Sequence, residues 1–257
     1  MISYNKSKNI LKRSLIKLGE EIINTKRCLN RVTSKNIYVH SCYPSENNAA
    51  FDGYALKSND TNKLNKKIYQ KFKIIGSIAA GNKPIKKKIK KFETVEIMTG
   101  ALIPRSFDTI IPIEQINFYP NKKNAKYILL NKKITKFEHV RFKGSDYKKG
   151  DLLISQGTIL QSNHILALKT LGVKKIKVKK KPNILFFSTG NEITNKDKIL
   201  EWEVRNSNSH YINSLNQNFL FNFKDGGILR DNQSNLFKSH ISKMLKSKID
   251  LIITSGA

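Results

Sequence analysis

Apolar residues in the first segment fall at Leu11, Leu15, Leu18 and Ile22, spaced four, three and four. That spacing marks one face of a helix and predicts a helix ending near Thr25. From residue 46 to 146 the pattern changes to short runs rich in β-branched and aromatic residues, among them IYQKFKIIGSIAAG, FETVEIMTGA, DTIIPIEQINFY and KYILL. Gly, Pro and Asn break these runs, and many short strands with frequent turns suggest a small barrel or sandwich. The stretch DLLISQGTILQSNHILALKTLGVKKIKV then reads as strand, turn, helix and strand, with Ser162 placed to cap the helix and Gly172 to end it. The alternating basic run Lys174 to Lys181 fits a half-exposed strand with a solvated face.

After Pro182 the pattern changes again. NILFFSTG is a buried-type strand stopping at Gly190. NSNSHYINSLNQNF is a helix with an apolar stripe at Ile212, Leu215 and Phe219, and DGGILRD is a short strand. SNLFKSHISKMLKS carries Leu236, Phe237, Ile241, Met244 and Leu245 at helical spacing, and DLIITSGA is a third strand. Strand, helix, strand, helix, strand is the repeating unit of a parallel, doubly wound sheet, here incomplete at three strands.

Composition narrows the function. The chain has 257 residues, of which 39% are hydrophobic and 9% aromatic, enough to bury substantial cores. Its 48 Lys plus Arg against 19 Asp plus Glu give a formal charge of +29, which favours polyanions. The lysines are spread through almost every segment alongside many Asn and Ile, a pattern of compositional drift rather than one patch. Without an Arg-rich arm, a ribonucleoprotein motif or zinc-finger spacing, a nucleic-acid-binding protein is the weakest of the readings, and any such binding is expected to lack sequence specificity. Two cysteines, Cys28 and Cys42, are too few for a disulfide framework and point to a reducing, cytoplasmic compartment. The N-terminus lacks the apolar core of a signal peptide, and no run reaches the ~20 apolar residues of a membrane helix. None of the five histidines pair at zinc-ligand spacing.

Candidate chemistry follows from the sheet. Ligands of open parallel sheets bind outside the carboxyl ends of the strands. Those ends carry Ser188, Thr189, Gly190 and Glu192, then Arg230 and Asp231, then Ser255 and Gly256. Small hydroxyl residues and glycine let backbone amides approach a phosphate, and two carboxylates, Glu192 and Asp231, can hold Mg2+ beside it. The alternative is that the hydroxyls only cap turns. Farther upstream, AAFDGYALK sets Asp52 and Gly53 between apolar residues; taken alone, Asp-Gly in that setting is a turn signal.

Several of these stretches together carry a resemblance. FDGYA at 51–55, IMTGA at 97–101 followed by Pro104 and DTIIPIEQ, RFKGSD at 141–146, STGNEI at 188–193, RNSN at 205–208, ILRD at 228–231 and ITSGA at 253–257 stand in the order seen in the molybdopterin molybdenumtransferase family. These are the MoeA enzymes and the related C-terminal domain of gephyrin, and the chain resembles about the first two thirds of the family's length. The resemblance implies an elongated linker domain from residues 1–45 and 147–181, a small β-barrel-like domain at 46–146, and a partial α/β molybdopterin-binding domain at 182–257. It also implies the last step of molybdenum cofactor synthesis, in which molybdate enters adenylylated molybdopterin with Mg2+ and AMP is released.

By the same likeness Asp52, Asp146 and Asp231 are catalytic, and Thr99, Ser188, Thr189, Gly190, Glu192, Ser255 and Gly256 bind substrate. Glu192 and Asp231 are the metal side, and the working unit is a homodimer in which one chain's barrel-like domain faces its partner's sheet domain. Where the family usually reads DNSAM, this chain has Asn47, Asn48, Ala49, Ala50 and Phe51. The family pattern continues past SGG into GVSxGxxD, beyond residue 257. An inactive remnant that keeps ligand or partner binding is therefore the alternative reading.

Overall fold

The computed structural model describes residues 2–233, 237–239, 241–242 and 246–255. The chain divides into two compact units, one of Tyr38–Asp151 and one of Met1–Ile37 with Leu152–Ala257. Its elements are mixed, with strands predominating over a few short helices.

The Tyr38–Asp151 unit is built on a six-stranded mixed sheet. Across it the strands run Thr109–Pro112, Gly53–Leu56, Glu93–Ile97, Gln70–Ile78, Tyr127–Leu130 and Asn117–Tyr119. Neighbours are antiparallel except Gln70–Ile78 with Glu93–Ile97, which are parallel. Successive side chains of a strand point to opposite faces, and in Gly53–Leu56 all four residues are buried. Ala55 joins Val95, Ile97 and Ile110 in one apolar cluster, while Tyr54 and Leu56 join Phe72, Ile111 and Ile128 in a second. Both faces of the sheet are therefore covered, which is why the runs read as continuous rather than alternating.

Gly53 resolves the question of the Asp-Gly pair. It is the first residue of a strand, paired with Ile97 on one side and Pro112 on the other, and its φ is not positive. The hairpin turn suggested by Asp-Gly is absent. Glycine is required because the neighbouring chain passes too close: a Cβ here would fall on the carbonyl oxygen of Ile111 and 2.8 Å from its carbonyl carbon. Close backbone approach is one of the specific uses of glycine inside a strand.

In the second unit the predicted first helix is shorter than its spacing suggests. It covers Tyr4–Arg13, and the chain then enters a strand at Glu20–Asn24 that contains Ile22. Ser14 closes the helix, its hydroxyl donating to the carbonyl of Ile10 at 2.9 Å. The helix buries no residue, so no packing opposes that local bond. Glu20–Asn24 instead pairs antiparallel with Lys175–Lys179. Lys177 Nζ lies 2.6 Å and Lys179 Nζ 3.4 Å from the Glu20 carboxylate, while Ile176 and Val178 point into a core with Cys28, Leu160 and Leu168. The basic run thus has the solvated face read from its alternation.

The helix at Ser162–Thr170 starts one residue earlier than expected, with Gln161 as its cap rather than Ser162. The N–H of Gln161 donates to His164 Nδ1 at 3.0 Å, a reciprocal cap of the kind that a side chain at the third helical position can make. Gly172, at φ +71, follows the helix as predicted.

The last section holds a three-stranded parallel sheet, Asn222–Leu229, Asn183–Thr189 and Leu251–Ser255 in that order. The second of these in the chain begins earlier than DGGILRD, because residues 222–225 pair along Asn183–Phe186. The preceding helix is only Asn208–Ser214. Asn216 ends it by bonding the backbone of Phe221 in both directions, at 2.7 and 3.3 Å, and Leu215 and Phe219 are exposed rather than part of a buried stripe. Asn side chains compete with helical hydrogen bonds in this way. Residues 237–239 and 241–242 are helical; Leu236, Met244 and Leu245 of the predicted stripe lie outside the described residues. Among the described residues no helix is long and apolar enough to cross a membrane.

Replacing Gly53 with Ala is expected to overpack the sheet and lower stability by about 1–3 kcal/mol or more. Denaturant midpoints of the two proteins test this, and an unchanged midpoint would refute the close approach to Ile111.

Candidate functional site

Candidate residues collect in one place in each unit. In the Tyr38–Asp151 unit the organiser is the segment 47–53. On one side it is tied to the loop after Glu93–Ile97: the N–H of Ala49 donates to Ala101 O at 2.9 Å, the N–H of Gly100 to Ala49 O at 2.9 Å, and Asn48 Nδ2 to Gly100 O at 3.1 Å. On the other side Asn48–Ala49 pairs with Val140–Arg141, and the N–H of Lys143 donates to Asn47 Oδ1 at 2.9 Å. Asn47 and Asn48, which depart from the usual family text, thus fasten this segment to its neighbours through their side chains.

Asp52 and Thr99 meet directly. Asp52 Oδ1 accepts from the backbone N–H of Thr99 at 2.7 Å and from its hydroxyl at 2.8 Å. Both donors favour the charged form, the amide more strongly, and hold the Asp52 carboxyl below its ordinary value. Both residues are exposed. The glycine that follows Thr99, Gly100, has φ +81 and lets the loop turn back with the N–H of Ala101 on Met98 O.

Asp146 is also held by donors. Arg141 forms an ion pair with its Oδ2 and the Ser145 hydroxyl donates to Oδ1 at 3.0 Å, and the Arg141 bond is the main cause of its lowered pKa. Arg141 belongs to the strand that pairs with Asn48–Ala49. The reading of RFKGSD singled out the acid and missed the arginine five residues before it that fixes the acid's charge.

The second place is the carboxyl edge of the parallel sheet. The register aligns Thr189 with Leu229 and Ser188 with Ser255, so the ends of all three strands lie together. Thr189 donates through Oγ1 to the carbonyl of Ser255 at 2.8 Å. Asn191 grips the loop after the second strand: its Nδ2 donates to Asp231 Oδ2 at 2.8 Å, and the N–H of Asp231 donates to its Oδ1 at 3.2 Å. Arg230 donates to the carbonyls of Gly190 and Asn191. The Glu192 carboxylate lies over Gly190, where a Cβ would meet its oxygens at 2.5 and 2.6 Å, and Gly190 has φ +145. A cavity of about 220 Å³ at this edge is lined by Thr189, Arg230, Asp231 and Thr254 among others.

Ser188 is a separate case. It is buried, and its hydroxyl donates to Asn206 Oδ1 at 2.6 Å. Asn208 Nδ2 reaches Ser255 Oγ at 3.2 Å. Asn191, Asn206, Asn208 and Arg230 therefore position the predicted residues; three of them stand in the quoted motifs STGNEI and RNSN, so the signal was present but was read for its acids and hydroxyls. Gly256 lies outside the described residues. Among the described residues no three His, Cys, Asp or Glu side chains cluster to hold a metal ion.

A family model described as the MoeA N-terminal region (domain I and II) matches residues 2–172. The chain belongs to the MoeA family. It is similar to molybdopterin molybdenumtransferases of Staphylococcus epidermidis, 29% identical over 236 residues, and Staphylococcus aureus, 28% identical over 232 residues. These alignments cover 91% and 90% of this chain but 54% and 53% of the relatives, so the chain spans about half their length. Among solved structures, a molybdopterin biosynthesis MoeA protein from Pyrococcus horikosii superposes with TM-score 0.85 at 28% identity, covering 100% of this chain and 64% of that one. A second MoeA structure, from Pyrococcus horikoshii OT3, gives TM-score 0.88 at 24% identity and carries the likeness of fold. The family model thus takes in Asp52, Thr99 and Asp146, while the sheet-edge residues lie beyond it, within the span covered by the structural likeness.

Asp52 has a lower pKa folded than unfolded, so the stability its charge contributes is complete above the ordinary value of 3.8 and is lost as pH falls through the folded value. A carbon-detected NMR titration should place its midpoint below 3.8. Thr99→Val should raise that midpoint only part of the way, because the backbone donor remains. Arg141→Gln should raise the Asp146 midpoint and leave that of Asp52 in place; equal movement of both acids would contradict the separate hydrogen-bond sets.

Proposed function

We propose that this chain acts in molybdenum cofactor biosynthesis as a molybdopterin molybdenumtransferase, placing molybdate into adenylylated molybdopterin with release of AMP. The observation that carries the reading is Asp52 fixed by Thr99, within the region matched to MoeA. The sheet edge adds to it: a cavity lined by Thr189, Arg230 and Asp231 suits a phosphate-bearing ligand.

The donors present fit Mg2+. Asp231 commits one oxygen, Oδ2, to Asn191, and Glu192 carries no side-chain hydrogen bond among the described residues. Mg2+ takes hard oxygen ligands and is commonly held by one or two carboxylates together with substrate phosphates. Asp231 and Glu192 would hold it here, and the ion would supply Lewis-acid polarisation of the phosphoanhydride.

The chain's own groups have narrower tasks. A general base works best with a pKa near the operating pH, and a carboxylate held low by two donors is a weak one. Asp52 therefore serves by orienting and by its fixed negative charge. Arg230 and Asn191 keep Asp231 in place through the loop carbonyls and the amide pair. A homodimer belongs to this reading, with Asp52 and Asp231 acting from different copies.

The alternative is a chain that keeps ligand or partner binding without turnover. With Mg2+, molybdate and adenylylated molybdopterin, the protein is expected to release AMP, and Asp231→Asn should slow release by two orders of magnitude or more. Mixing Asp52→Asn with Asp231→Asn protein should restore part of the rate through mixed dimers. Absence of AMP above background from the folded protein would replace the transferase reading with the binding one.

A further inference from the structure

One cavity of the Tyr38–Asp151 unit is not used by anything above. It measures about 810 Å³, within the range of small-molecule sites. Its floor is apolar: Phe107 is buried in the core of the sheet, and Ile85 and Ile103 pack against that core. Phe137 stands exposed on its wall at φ +70, with Lys136 Nζ 4.8 Å from its ring centroid. An ordinary residue kept at positive φ is costly; the Phe137 ring lies edge-on to Phe142, centroids 5.4 Å apart, and still leaves part of its surface exposed beside the cavity.

The rim carries more positive than negative charge. Lys86, Lys87, Arg105 and Lys136 line the cavity, and none of the four forms an ion pair among the described residues. Its two acids are already engaged. Asp108 accepts from the N–H and hydroxyl of Ser58 at 2.7 and 2.9 Å, and Glu46 pairs with Lys143 at 3.2 Å. Four cations against the single Asp108 charge, with Glu46 already paired, leave a net positive rim over an apolar floor, which matches a ligand with more than one negative charge and a flat apolar body.

We infer that this cavity, bounded by Ile85, Arg105, Lys136 and Phe137, binds a small aromatic phosphate monoester. A phosphate monoester brings about −1.5 to −2 charges at neutral pH, and an aromatic body offers a face to Phe137 and contact to Ile85 and Ile103. The inference is independent of the transferase reading, because neither Asp52 nor the sheet edge enters it. It also gives a local role to part of the basic stretch PIKKKIKK, which composition alone assigned to drift.

The test uses 1-naphthyl phosphate as probe, titrated calorimetrically into the whole chain at physiological salt, with inorganic phosphate, 1-naphthol and 1-naphthoate as comparisons. Saturable one-to-one binding is expected, at least tenfold tighter than each comparison. Arg105→Gln with Lys136→Gln should weaken it tenfold or more, and Phe137→Asn, which keeps a residue tolerant of positive φ, should weaken it severalfold. Lys122→Gln with Lys123→Gln, exposed cations of the same unit outside the cavity, should leave it unchanged. No binding at millimolar probe, equal binding of naphthoate, or equal loss in the Lys122 and Lys123 variant would overturn the proposal, the last by showing attraction to the bulk charge.

Discussion

The passage of the Gly53 backbone against Ile111 sets the geometry on which the Asp52 site depends. Only a residue without a side chain can sit between Ile97 and Pro112 at that spacing. Because Gly53 starts a strand buried on both faces, the residue before it is carried to the edge of the sheet with little freedom. Asp52 uses that position to accept two hydrogen bonds from Thr99, and its own carbonyl accepts from the N–H of Ile113. A small residue chosen for packing thereby fixes an acid chosen for charge.

The same economy appears at the parallel sheet. Its small core, Leu185, Phe187 and Leu229, sits just behind strand ends that carry hydroxyls and acids. Asn191 spans the gap from the first strand's loop to the second's, so the position of Asp231 follows from a neighbouring loop rather than from its own. Side-chain amides do this work repeatedly here, at Asn47, Asn48, Asn191, Asn206 and Asn208. An amide both donates and accepts without adding charge. In a chain of +29 such neutral ties hold loops in place without competing for its few acids.

Much of the fold could be read from pattern because burial imposed it. Continuous apolar runs became two-faced strands, and the alternation of Lys175–Lys179 became a strand with a paired basic face. The errors came where local chemistry outweighed periodicity. Leu11, Leu15, Leu18 and Ile22 share a helical spacing, yet Ser14 ends the helix and Ile22 belongs to a strand chosen by its partner across 155 positions, Lys177. The stripe at Leu215 and Phe219 failed because Asn216 folds back on Phe221. At the candidate sites, acids, hydroxyls and Arg230 could be picked out by residue type, whereas the tying roles of Arg141 and the asparagines could not, since a hydrogen bond between distant segments leaves no period in the sequence.

Charge distribution marks a difference in kind between the surfaces. On Glu20–Asn24 with Lys175–Lys179 the lysines meet an acid across the strands, so their field is partly cancelled where it arises. Around the cavity of Ile85, Arg105 and Phe137, Glu46 is paired with Lys143 and Asp108 is turned to the Ser58 donors, so the four cations outnumber the acids there. Over low-dielectric walls such a group attracts anions more strongly than the same charges spread over a convex surface. A uniform excess of lysine would give every surface of this chain the same weak preference; four cations gathered around one concavity, against one uncompensated acid, are what make that place different.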